Sequence, residues 1–335
     1  MAGIREIAKI AGVSQATVSR VLNRDKKFSV SEATRNNILE IANELQYNPK
    51  NSVKSKSVDR LSIVIITTLS KDSEINEPYF ISIRNGVEKE AAEWGVRIMD
   101  LIRFPQADFD YERLASYGGV VVIGALTEES LNKIYEQNKN LIVVDEHRFL
   151  PKYDVIENDF QYQIKEELDI LASKGHQQIA YIGGNATLVD ENGQSSQVLR
   201  DIRETSYVEW MESKKHQEII ISSNWTTESG VTAADELLKN HPEVTAVVVA
   251  SDPLAIGVYR GLQKKGKKIP EEIAIFSFDD VKTAEYMVPS LSTVKPGSEE
   301  MGKMAIRLIR DRLFYHREIP IRVMVPSDLN KRESI

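Results

Sequence analysis

The sequence predicts an α/β protein in three parts: a small all-helical domain, a polar hinge, and two doubly wound parallel-sheet subdomains. Three observations carry this. Apolar residues over the first 45 positions recur at helical spacing only. From Leu61 onward, short apolar runs alternate with amphipathic helical stretches, the pattern of a parallel sheet covered on both faces. That alternation then runs a second time, so two similar halves stand side by side. The chain of 335 residues has length for about two to three domains, and 41% hydrophobic with 28% charged residues suits a soluble globular protein. No run of about 20 apolar residues exists and no signal-peptide core precedes the helices, so a cytoplasmic protein without a membrane span is expected. Zero cysteines exclude disulfides and thiolate chemistry. His147, His176, His216, His241 and His316 show no paired ligand spacing, so neither metal nor cofactor is expected.

In the first helix Ile4, Ile7, Ala8 and Ala11 share a face, and Ala8 is small where a second helix must come close. Gly12 supplies the positive φ of a short turn. Val18, Val21 and Leu22 then repeat the pattern, with Ser14 placed to cap the second helix. Gln15, Ala16, Thr17, Ser19 and Arg20 are left facing outward, a set rich in base-edge and phosphate chemistry. A third helix is predicted over 31–45, capped by Ser31 and buried through Ile38, Leu39, Ile41, Ala42 and Leu45. The spacing of the first two helices fits an ordinary helical hairpin equally well. Two further features favour a helix-turn-helix that inserts its second helix in the DNA major groove: the third helix closes a miniature core, and the basic charge is concentrated here. Residues 1–60 hold eleven Lys and Arg against six Asp and Glu, whereas the whole chain is −7. The acidic remainder argues against a nonspecific nucleic-acid coat and confines DNA contact to this module.

Residues 48–60 are polar and read as a hinge, in which Pro49 could start a short, marginal helix or the segment could be a plain linker. Next come a predicted strand at 61–67, helix 79–94, strands 96–101 and 120–124, helix 128–137 and strand 141–145. Residues 100–117 are too few for a full crossover helix, so the first half is abbreviated there. The second series is helix 160–174, strand 179–183, helix 196–213, strand 218–222, helix 227–240, strand 246–251, helix 253–265 and strand 273–278. Ligands of such sheets bind beyond the carboxyl ends of the strands. Asp145, Asp252 and Asp279 finish three strands. Carboxylates accept from vicinal hydroxyls, and Trp225 or Phe80 could cover the apolar face of a sugar. Each aspartate could instead cap a helix, above all Asp252 before Pro253, and Trp225 could be core. Arg203, flanked by Asp201 and Glu204, could form only a surface ion pair. Gly183-Gly184 lacks the following lysine of a phosphate loop. An enzyme using Asp145 and Asp279 as acid and base, and a small-molecule binder without DNA activity, are the competing readings. No metal constellation, phosphate loop or nucleophile motif supports the first, and the N-terminal helices oppose the second.

Ala-Gly-Val-Ser-Gln-Ala-Thr-Val-Ser-Arg-Val-Leu-Asn at 11–23 closely resembles the lactose/galactose repressor family of bacterial transcription regulators. Tyr47-Asn48-Pro49, Pro78-Tyr79-Phe80, Val249-Ala250-Ser251-Asp252 and Asp279-Asp280 followed by Pro289-Ser290-Leu291-Ser292-Thr293-Val294 support it in family order. The resemblance spans essentially the whole chain. It implies a homodimeric repressor of periplasmic-binding-protein core type that reads a near-palindromic operator. Gln15, Ala16 and Arg20 would read bases, with Ser14, Thr17, Ser19, Asn23, Tyr47, Val53 and Lys56 as further DNA contacts. A sugar effector would lie among Tyr79, Phe80, Asp145, Arg203, Trp225, Asp252 and Asp279. The reading domain would be 1–47 and the core 61–335, its subdomains 61–160 with 292–322 and 161–291 with 323–335. Segments 74–80 and 201–204 look most like galactose-operon and evolved β-galactosidase repressors, so galactose or a β-galactoside is the favoured effector; another sugar or a phosphosugar remains open. The chain departs from the family at Lys56, where a leucine usually wedges into the minor groove, and at Gly3, where a hydroxyl residue usually caps the first helix. Lys56 implies a weaker wedge, less kinking and steeper salt dependence. No heptad tail follows the last strand, so a dimer rather than a tetramer is expected.

Overall fold

The computed structural model describes residues 4–22, 28–44, 59–193 and 197–335. The chain forms two compact units, Met1–Ser57 and Val58–Ile335. Gly3, Asn23, Leu45, Tyr47, Val53 and Lys56, all invoked above, lie outside the described residues.

The first unit holds α1 (Ile4–Ala11), α2 (Gln15–Leu22) and α3 (Glu32–Glu44). Gly12 takes φ 66° between α1 and α2, and the Val13 amide closes the end of α1 on the Ala8 carbonyl at 3.1 Å. Ser31 accepts from the Thr34 amide at 3.2 Å and so starts α3. Ile7, Ala8, Val18, Val21, Ile38, Ile41 and Ala42 form one buried cluster. Leu39, predicted to join it, is 45% exposed. One residue further along a helix is about 100° further around it, and with Ile38 pointing into this small core Leu39 turns away.

The second unit follows in the order β1 (Asp59–Thr67), α4 (Lys71–Asn76), α5 (Pro78–Glu93), β2 (Arg97–Arg103), β3 (Tyr117–Ile123), α6 (Glu128–Gln137), β4 (Leu141–Val144), β5 (Asp154–Asn158), α7 (Phe160–Ser173), β6 (Ile179–Gly183), β7 (Ala186–Leu188), β8 (Gln197–Leu199), α8 (Ile202–Lys214), β9 (Ile220–Ser222), α9 (Thr227–Asn240), β10 (Ala246–Val249), α10 (Asp252–Lys264), β11 (Ala274–Phe278), β12 (Ser292–Lys295), α11 (Ser298–Tyr315), β13 (Arg322–Val325) and β14 (Asp328–Asn330). Two sheets result, in the orders β13-β5-β4-β3-β1-β2 and β14-β12-β11-β10-β6-β9, parallel throughout except at β14. Their central strands, such as Val120–Ile123 and Ala246–Val249, are buried on both faces, as continuous β-branched runs require. Between β2 and β3 a short 3₁₀ helix, Tyr111–Ser116, stands in place of a crossover helix.

The subdomain limits need correction at the C-terminal crossings. β12, placed in the first half by the 292–322 assignment, pairs with β11 in the second sheet, whereas β13 pairs with β5 in the first. The chain therefore changes sheets near 296 and 326. Apolar runs reveal a strand but not the edge it joins, and both segments are edge or near-edge strands only 4 residues long. The helix predicted over 196–213 starts later. Residues 197–199 pair with β7 in a small antiparallel ribbon, and Asp201 caps α8 by accepting from the Arg203 amide at 2.8 Å. At the start of β5, beside the first sheet's β13 edge, the wholly buried Asp154 accepts from Arg312 at 2.7 and 2.9 Å, from Arg317 at 2.7 and 2.9 Å, and from the Ile321 amide at 2.9 Å. Burial alone would raise this carboxyl, but those five donors hold it below its ordinary range.

Candidate functional site

On α2 the side chains of Gln15, Ala16 and Arg20 are exposed while Val18 and Val21 are buried, so one face is free. Gln15 offers a paired amide donor and acceptor, and Arg20 a guanidinium fork, the two groups best matched to purine edges in the major groove. Arg20 lies 5.2 Å from the Phe28 ring centroid, which steadies its long side chain. Ser14 accepts from the Thr17 amide at 3.1 Å, and the two hydroxyls meet at 2.9 Å. Ser14 and Thr17 thus hold the start of the helix, so the hydroxyl of Thr17, expected at a phosphate, is engaged within the cap. Ser19 is half-buried on the same helix.

In the second unit a cavity of about 500 Å³ opens at the carboxyl ends of the strands of both sheets. It brings together Tyr79, Phe80, Asp145, Arg203, Trp225 and Asp279 from the sequence-derived set. Pro78 starts α5, which fixes Tyr79 and Phe80 on its first turn with their rings edge to face at 5.1 Å. The Tyr79 hydroxyl donates to Asp145 Oδ1 at 2.8 Å, and Asn158 Nδ2 donates to the same oxygen at 3.0 Å and to the Tyr79 hydroxyl at 2.9 Å. Asp145 and Asp279 both leave their strands in the left-handed region, at φ 64° and 107°, a strained geometry that turns each carboxylate off the strand line.

Arg203 is not a surface ion pair. It is buried, grips Asp201 through Nε at 2.7 Å and Nη2 at 2.9 Å, and donates from Nη1 to the Ala250 carbonyl at 2.6 Å. Its guanidinium lies 4.8 Å from the Phe160 ring, 5.1 Å from Trp225 and 5.4 Å from Phe278. Asp201 therefore does two things, capping α8 and holding Arg203 beside these aromatic rings. Burial opposes ionisation of Asp201, but the Arg203 charge and hydrogen bonds keep it below the usual carboxylate range. Trp225 stays partly exposed in the cavity, with Nε1 3.4 Å from the Asn185 carbonyl.

Asp252, expected at the effector, is a correction. It is fully buried and does not line the cavity. Nor does it cap α10, whose cap is Ser251; as the first residue of the helix it turns inward and accepts from Thr293 Oγ1 at 2.8 Å and the Val281 amide at 2.9 Å. Its role is to tie the loop after β11 to β12, behind Asp279. Several lining residues escaped the sequence reading: Glu77, Glu146, His147, Arg148, Arg200 and Asp201. Glu77 directly precedes Pro78, and Asp201 sits two residues before Arg203; both positions were readable as helix starts facing the strand ends. Burial drives Glu77 up to about 7, with Arg203 opposing and Asp145 adding to the shift. Burial raises Asp145 as well, and burial together with the charge of Asp252 raises Asp279 far above its ordinary value.

Among the described residues no cluster of three or more His, Asp and Glu is placed to hold a metal ion, and no helix is long and apolar enough to cross a membrane. An exposed reading helix in one unit, with hydroxyl-matching carboxylates, a clamped arginine and aromatic rings around a cavity in the other, defines a ligand-responsive DNA-binding regulator. Comparison with known proteins agrees. Residues 3–50 match the bacterial regulatory proteins of the lacI family, and residues 168–335 match the periplasmic binding protein-like domain. The HTH-type transcriptional regulator GalR of Streptococcus thermophilus is 32% identical over 337 residues, covering 100% of this chain and 99% of the relative. The HTH-type transcriptional repressor MelR of Bacillus subtilis (strain 168) is 33% identical over 342 residues, covering 100% and 97%. The solved transcriptional regulator CelR–cellobiose complex shares the fold with a TM-score of 0.70 at 24% identity, covering 100% of both chains. The chain belongs to the lacI family of bacterial regulatory proteins. It is a DNA-binding transcriptional regulator and not an enzyme.

Proposed function

We propose that this protein is a homodimeric repressor of a galactoside-utilisation operon, with residues 1–47 reading one operator half-site each, 48–60 as hinge, and a sugar bound in the core cavity altering operator affinity. The carrying observation is the cavity itself: Asp145 and Asp279 converge as acceptors for vicinal hydroxyls, Arg203 supplies donors, and Trp225 and Phe80 offer faces to a sugar ring. A volume of about 500 Å³ lies inside the range that encloses drug-sized ligands, so two sugar rings suit it better than one. The cellobiose held by the similarly folded CelR is a ligand of that size. Galactose or a β-galactoside is favoured over other sugars by the resemblance of segments 74–80 and 201–204. Binding shifts the switch only if the sugar prefers one core conformation, since equal affinity for both moves nothing.

The test joins the reading helix to the cavity. Thermal-shift screening with galactose, lactose, melibiose and cellobiose should yield at least one stabilising sugar, and that sugar should change operator affinity. Arg20→Ala should weaken specific operator binding by about 1–3 kcal/mol and leave the thermal shift of the sugar unchanged. Unchanged operator affinity in that variant, or sugar binding without any effect on DNA, would remove the reading.

A further inference from the structure

The charges lining the cavity pair off one by one. Arg148 Nε donates to both carboxylate oxygens of Glu146 at 3.0 Å, Arg200 meets Glu204 at 3.0 Å, and Arg203 is clamped by Asp201. Three carboxyl groups remain: Glu77 in front of α5, Asp145 at the end of β4 and Asp279 at the end of β11. Among the described residues none of the three has an ion-pair partner. They arrive from separate elements, and two of them weaken the ionisation of a neighbour, Asp145 acting on Glu77 and Glu77 on Asp279, while the Arg203 charge opposes the shift at all three. The other titratable side chains facing this space are Tyr79, whose hydroxyl already donates to Asp145, and His147, whose Nδ1 stands 3.7 Å from Glu157. Every guanidinium on the walls is therefore neutralised locally, while the centre stays rich in acceptors.

We propose that Glu77 makes the cavity a charge filter, which admits an uncharged glycoside and rejects a sugar carrying phosphate, sulfate or carboxylate. This rests on the effector reading above and narrows it, for it removes the phosphosugar alternative. Hydroxyls donate to all three carboxyl groups in either protonation state, whereas an anion meets the charge of Glu77 once that group ionises, and among the described residues each guanidinium on the walls is already held by a carboxylate. Glu77 is the group that tunes the filter. Asp145 is bound by Tyr79 and Asn158 and Asp279 is walled in by Asp252, but Glu77 stands at the start of a helix on the cavity rim and, at about 7, changes its charge in the ordinary working range. Rejection should accordingly sharpen as pH rises from 6 to 8.

Calorimetric titration of the full-length protein tests this with galactose and lactose as neutral probes, and galacturonate and galactose 6-phosphate as anionic ones. Galacturonate is the cleaner of the two because its carboxylate keeps one charge over that pH range. At pH 8 the neutral sugar should bind at least roughly tenfold more tightly than its anionic counterpart. Glu77→Gln and Glu77→Ala should each narrow the gap severalfold and abolish its growth between pH 6 and 8. An anionic sugar that binds wild type as tightly as the neutral one overturns the filter, as does a gap untouched in both variants. If no sugar of either kind binds, the effector reading falls and takes the filter with it.

Discussion

Arg203 and Asp252 show how far a single residue's place in the sequence predicts its work. Both stood beside strand ends or helix starts, yet the arginine, readable as a surface ion pair, is the clamped donor of the cavity, and the aspartate, readable as a ligand contact, is a structural tie. Position near the carboxyl end of a strand was legible, because an apolar run ending in Asp is visible in one dimension. Orientation was not, since one residue of rotation at a helix start moves a side chain from the cavity to the core. Asp145 and Asp279 kept their expected place because each leaves its strand at positive φ, which turns it off the line. A pair of isosteric variants separates the roles. Asp145→Asn should weaken sugar binding at least about tenfold with little change in melting temperature at pH 5, since the amide still meets Tyr79. Asp252→Asn should do the reverse. An amide presents only one acceptor where Thr293 and the Val281 backbone both donate, so about 1–3 kcal/mol of stability should go while sugar affinity falls less than twofold. Equal effects in the two variants, by denaturation and calorimetry, would erase the distinction.

Whole elements were easier to read than their partners. Helix 227–240 and the strands around 179–183 and 274–278 follow from periodicity and length alone, because a helix stripe and a doubly buried strand leave different repeats. The sheet that β12 or β13 joins depends on contacts far along the chain, and no local pattern encodes it. Helix pairing is likewise decided by small details. α5 and α11 approach so closely that a Cβ on Gly302 would lie 1.9 Å from the Ile83 carbonyl oxygen, and one on Gly86 2.0 Å from that of Glu299. α9 and α10 use the same device at Gly230 and Gly257, with 2.2 Å to the Leu254 carbonyl and 1.9 Å to that of Thr227. Backbone cannot yield as a flexible side chain can, so Gly302→Ala must push α11 off α5. We expect a loss of about 1–3 kcal/mol by overpacking, although alanine is the better helix former by about 1 kcal/mol. A melting temperature at or above wild type would show that the helices slide apart freely. Because α11 follows directly on a crossing between the sheets, the same variant should also alter the sugar-induced thermal shift.

At the scale of the whole molecule, two opposed sets of carboxyl groups shape the response to pH. Asp154, Glu191 and Asp201 are held low by their donors, Glu191 down to about 2, so the stability they contribute is present above the ordinary carboxylate range and lost as pH falls through their lowered values. Glu77, Asp145, Asp279 and the fully buried Glu167 are raised mainly by burial, Glu77 to about 7. Their sign is the opposite: the folded state binds their protons more tightly than the unfolded chain, so stability is full below the ordinary range and is lost as pH rises through the raised values. Unfolding free energy should therefore peak on the acidic side of neutrality, near pH 5 to 6, and decline toward pH 8. A net charge of −7 pulls the same way through self-repulsion, which is why the comparison needs a variant. Glu77→Gln removes one raised group and one charge together, and should recover on the order of a few kcal/mol at pH 8 but almost nothing at pH 5. Added salt screens the general repulsion within about 10 Å yet leaves a buried carboxyl unaided, so the pH-dependent gain of the variant should survive at 0.3 M salt. Melting curves of wild type and Glu77→Gln at pH 5, 6.5 and 8, each at low and high salt, decide it. A gain that is the same at pH 5 and pH 8, or one that salt abolishes, would mean Glu77 is an ordinary surface charge and that the acidic cavity does not set the alkaline limit of this regulator.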